Sequence, residues 1–134
     1  MNTRVLQPEG WPRPRGYANG MSANGRTIFV AGQVGWDTQQ RIVEGGLVAQ
    51  AQQALANIVA ILAVDGARAE HIVRLTWYVT DRAQYLAAAA PLGAVYRDVL
   101  GRHFPAMSAV EVNALMEPGA VVEIEATAVV PTVG

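Results

Sequence analysis

LVAQAQQALANIVAIL, residues Leu47 to Leu62, decides how this chain is built. Val48, Ala51, Leu55, Ile58, Val59 and Leu62 recur at three- and four-residue steps. That is the spacing of one apolar face of an α-helix. Gln50, Gln53 and Asn57 fall between them, on what the pattern reads as the solvent side. Gly66 follows as a stop. On either side the period drops to two. Thr27 to Val34 is rich in β-branched residues, and Ile72 to Val79 sets Leu75, Trp77 and Val79 against Arg74, Thr76 and Tyr78. Both read as strands. A helix between two strands of one sheet is a crossover, and this makes the chain α/β (α+β).

The remaining elements follow outward. Pro8, Pro12 and Pro14 break any regular structure over residues 1–16, which read as an extended arm. Gly16 to Met21 is a short strand, and Asn24-Gly25 signals a two-residue hairpin into the next. Asp81 caps a second helix over Arg82 to Leu100, which Pro91 should kink or split. Ser108 to Leu115 is a third long strand, Pro118-Gly119 a turn, and Val121 to Val130 a fourth strand. Val122, Ile124, Ala126 and Ala128 alternate there with Glu123, Glu125, Thr127 and Val129. The pattern predicts a single domain over residues 1–134, a mixed sheet with two helices on one face. The other face is mixed in character, and Tyr78 and Val129 on it point to an oligomer interface.

Composition excludes several functions. The 134 residues carry ten basic and eleven acidic side chains, a formal charge of −1. All ten bases are arginine; without lysine there is no side-chain Schiff base. The absence of cysteine removes thiolate nucleophiles, disulfides and cysteine-ligated zinc. Two histidines in separate segments, His71 and His103, make a poor metal set. No basic stripe offers a nucleic-acid footprint. No signal peptide opens the chain, and no apolar run approaches the roughly twenty residues of a membrane span. These features predict a cytoplasmic protein needing no metal or cofactor.

Four segments together resemble the Rid family, also called YjgF or L-PSP. They are Gly16 to Gly20, Phe29 to Val34, Gln50 to Ile58, and Pro105 to Val112 followed by Val122 to Ala126. The resemblance runs from about Tyr17 to Val130. It implies the chorismate-mutase-like fold and a homotrimer whose sheets form a central barrel, with small-molecule substrates bound in clefts between subunits. It also implies cofactor-free hydrolysis of 2-imino acids to 2-keto acids and ammonia.

The resemblance carries roles to particular residues. Glu123 takes the place of the family's cleft glutamate, a carboxylate able to accept a proton from water. On the residues alone it is equally a solvated strand carboxylate, and Glu125 has the same parity. Tyr17 matches the family's site tyrosine, and Gly32 the glycine that lets a ligand approach the backbone. Three positions depart. Met107 stands where family deaminases carry arginine in "PARS", and methionine offers a carboxylate no donor. Gly93 replaces the asparagine of "NxxY". Trp36 follows the "GQVG" stretch, where the family often has a small or aliphatic residue. Arg15, Arg74 and Arg102 are the arginines considered as replacements for the lost clamp. The expected function is an imine or enamine deaminase whose substrate is bulkier, or less dependent on a carboxylate clamp, than 2-iminopropanoate. The alternative is a trimeric binding protein without chemistry. A ribonuclease or translation inhibitor ranks below both.

Overall fold

The computed structural model describes residues 2–132. The order of elements is β1 (Thr3–Leu6), β2 (Gly20–Ala23), β3 (Arg26–Val34), α1 (Gly46–Val64), β4 (Ile72–Val79), α2 (Arg82–Ala87), α3 (Ala89–Leu100), β5 (Ala106–Glu111) and β6 (Val122–Val130). Strands β3, β6, β4 and β5 lie side by side in that order. β6 is antiparallel to both neighbours, and β4 and β5 are parallel.

α1 packs across β3 and β6 and against α3, so the helices share one face of the sheet. Leu55, Ile58 and Leu62 are fully buried there against Leu75, Val122 and Ile124. The helix ends as its sequence dictates. Gly66 takes a positive φ of 72°, and the Ala67 and Gly66 amides donate to the Leu62 and Ala63 carbonyls. This is the double closure that only glycine makes without strain. The Asp81 side chain accepts from the Gln84 amide at 2.9 Å and caps α2. Pro91 splits the second helix at Ala88, because it has no N–H to offer the turn before it.

Five expectations are corrected. Gln50 is not on the solvent side: it is 5% exposed, and its amide holds the Gly119 carbonyl and the Val121 amide. The arm is extended at Thr3–Leu6 but not without regular structure, since that stretch pairs antiparallel with β2. Asn24-Gly25 makes no hairpin with β3. A two-residue type I′ turn needs positive φ at both positions, and of the two only Gly25 has it. The third strand covers Ala106–Glu111 rather than Ser108 to Leu115, because β5 is laddered along its length on β4 and stops where β4 stops. Finally, α1 is long and apolar enough by composition to match a membrane span. Its apolar side is the core contact just described, which accounts for that composition.

Candidate functional site

β6 places Glu123 and Glu125 on the sheet face opposite the helices, between the buried side chains of Val122, Ile124 and Ala126. Tyr78 of β4 lies in register with Glu123 on the same face. The two carboxylates differ in what they touch. The Tyr78 hydroxyl donates to the Glu125 carboxylate. That bond, before any other influence, holds the phenol above its ordinary pKa. Glu123 accepts no hydrogen bond among the described residues, is half-buried, and lies over Gly32. A Cβ at position 32 would overlap the Glu123 carboxylate, so only glycine leaves it this room. A bulge opposite β6 between Val30 and Gln33 turns the strand at this point. With Val112, Leu115 and Met116 from the segment after β5, these groups enclose an open-face cavity of about 250 Å³.

A second cavity, of about 230 Å³, opens at the rim on the helix side. Met107 reaches it because it pairs with Leu75, whose side chain is buried under the helices. Tyr96 and Phe104 stack in its wall with centroids 5.6 Å apart and planes 9° from parallel. Trp77 and Tyr85 meet edge to face at 6.0 Å. The Tyr96 hydroxyl donates to the His103 carbonyl at 2.6 Å, and burial pushes its phenol pKa up. Gly93 of α3 borders the same space, with the Arg97 guanidinium one turn on.

The structure thus brings the predicted residues together in two pairs rather than one group. Glu123 and Gly32 share the open-face cavity, and Met107 and Gly93 the rim cavity, on opposite faces of the sheet. Tyr17 is 38% exposed beside the rim cavity. Its neighbour Gly16 lines that cavity, and Ala18 pairs with Ala106 at the start of β5. Trp36 lines neither cavity; it sits in the loop after β3, bridged to Ile42, its carbonyl held by Asn57. Of the three arginines considered as replacements, Arg15 reaches the rim cavity, while Arg74 and Arg102 line neither. Arg97 was not foreseen. Its spacing from Gly93, one helical turn, was the available signal. His103 is structural, its ring nitrogen 2.7 Å from the Ile72 carbonyl. Among the described residues no three His, Asp or Glu side chains converge as a metal-ligand set.

The α/β fold thus carries two candidate small-molecule cavities, one holding a half-buried carboxylate over a glycine and the other at the helix rim. Residues 12–130 match the family model described as Endoribonuclease L-PSP, and the chain belongs to that family, the Rid (YjgF/L-PSP) proteins. It is 39% identical over 105 residues to the 2-iminobutanoate/2-iminopropanoate deaminase of Capra hircus, covering 78% of this chain and 73% of that one. It is 34% identical over 135 residues to a RutC family protein of Synechocystis, covering 98% and 100%. Among solved structures, a Rid family protein of unknown function from Yersinia pestis superimposes with a TM-score of 0.82 at 39% identity, covering 97% of this chain and all of that one.

Proposed function

We propose that this protein hydrolyses small imines and their enamine tautomers, without a cofactor. The observation that carries the reading is the contrast between Glu123 and Glu125. Tyr78 occupies one carboxylate, and the other is half-buried over Gly32 with its oxygens unused among the described residues. Such a carboxylate can accept a proton from water as its oxygen attacks the imine carbon. That proton passes to nitrogen to give the carbinolamine R₂C(OH)NH₂; the carboxylate then carries the hydroxyl proton to nitrogen as the C–N bond breaks, so R₂C=NH and H₂O become R₂C=O and NH₃. The similarity to an imine deaminase supports the same chemistry.

In this reading the site is completed in a homotrimer, the open face of one protomer meeting the rim cavity of its neighbour. The open face has the character of a covered surface. Phe29, in register with Thr127, is 79% exposed on it, and Val110 is 44% exposed. Met107 makes the cavity wall apolar and argues for substrates other than 2-iminopropanoate.

The test is ammonia release from 2-iminopropanoate formed in situ and from a panel of larger imines. Turnover of the larger imines should fall by roughly 10²- to 10⁴-fold in Glu123→Gln. Unchanged turnover in that variant would overturn the role given to Glu123. Met107→Arg should gain activity on 2-iminopropanoate. The apolar, aromatic character of the rim cavity also fits a second reading, a trimeric binding protein, in which no imine is turned over. The ribonuclease named in the family description draws little support from a chain without lysine whose His103 ring is engaged with the Ile72 carbonyl.

A further inference from the structure

The rim cavity has lost one arginine at Met107 and holds another from a different element. Arg97 Nη1 lies 3.1 Å from where a Cβ on Gly93 would sit. The glycine therefore leaves the space that the guanidinium borders, and two of the three departures from the family pattern fall in one cavity. Arg15 stands on the same rim. Among the described residues neither arginine is ion-paired. Between them the walls are aromatic: the stacked Tyr96 and Phe104, and the edge-on Trp77 and Tyr85. Trp77 is 3% exposed, and its indole N–H has no acceptor among the described residues. A buried donor without a partner is rare, and a ligand oxygen is one way to satisfy it.

We propose that Arg97, assisted by Arg15, is the anion clamp of this cavity, and that the ligand is a small carboxylate bearing one planar ring. The guanidinium supplies the planar, two-pronged donor that a carboxylate requires and that Met107 cannot offer. The aromatic walls hold the ring. The volume of about 230 Å³ lies below the roughly 300–1,000 Å³ of sites for drug-sized ligands, which limits the occupant to about one ring. The inference rests on the deaminase reading only in taking this ligand to be the substrate; the binding itself stands apart from turnover.

Phenylacetate and its neutral isostere phenylacetamide are the probes, titrated calorimetrically into the purified protein. Phenylacetate should bind at least about tenfold more tightly than the amide. Arg97→Met should abolish that preference while leaving amide binding unchanged, and Arg97→Lys should restore part of it. Equal binding of acid and amide, affinity indifferent to Arg97→Met, or no binding of phenylacetate at millimolar concentration would each overturn the proposal. Turnover separates the two claims. Arg97-dependent binding with imine hydrolysis unaffected by Glu123→Gln ends the deaminase reading alone. Hydrolysis lost in Glu123→Gln with binding indifferent to Arg97 ends this one alone.

Discussion

Glu123 and Glu125 stand two residues apart on one strand, facing the same way, and their neighbours give them different tasks. Tyr78 takes the Glu125 carboxylate; Gly32 leaves space beneath Glu123. Glu125→Gln should therefore lower imine turnover much less than Glu123→Gln, because its oxygens are already committed. Gly32→Ala places a methyl where the Glu123 carboxylate sits. It should cut turnover at least about tenfold through misplacement of that carboxylate, with the thermal midpoint used to check that folding survives. Parity put both glutamates on one face in the sequence. Which of them is free depends on a hydrogen bond from another strand, and no pattern along β6 carries that information. Arg97 is the opposite case: one turn beyond Gly93, it was readable from helix periodicity.

At the scale of elements, α1, β4 and β6 follow from their apolar periods, and the misses share one cause. Gln50 looked like a solvent residue because it is polar, but it is buried to serve backbone groups at 119 and 121, about seventy residues away in sequence. Gln50→Leu leaves the Val121 amide and the Gly119 carbonyl unpaired and should cost about 2 kcal/mol in denaturant unfolding. The short reach of β5 and the pairing of β2 with β1 are likewise set by partner strands rather than by local composition. Tyr96 ties α3 to the loop before β5. Burial raises its pKa, so the folded state keeps a phenolic proton that the unfolded chain loses above about pH 10. Its contribution is complete below that value and is lost as pH rises toward the folded pKa. Unfolding midpoints followed from pH 9 upward should fall, and Tyr96→Phe should start about 1 kcal/mol lower and fall less steeply.

For the whole molecule, the decisive feature is that the two predicted half-sites lie on opposite faces of one sheet. Glu123 and Gly32 are on the open face, and Met107, Gly93 and Arg97 are under the helix rim. A single chain cannot present both to one small ligand. In the proposed homotrimer, a cyclic head-to-tail arrangement would bring the open face of each copy to the rim of the next. Light scattering should give a trimer at micromolar concentration. Glutamate at Phe29 should weaken it, because Phe29 is the most exposed aromatic side chain on the open face. The most direct measurement mixes two inactive proteins. Glu123→Gln lacks the carboxylate proposed to handle water, and Gly93→Trp should fill the rim cavity. Unfolded and refolded together in equal amounts, they should recover about a quarter of the unaltered turnover, since about one interface in four then pairs an intact open face with an intact rim. Turnover no higher than that of either variant alone would contradict a site shared between protomers.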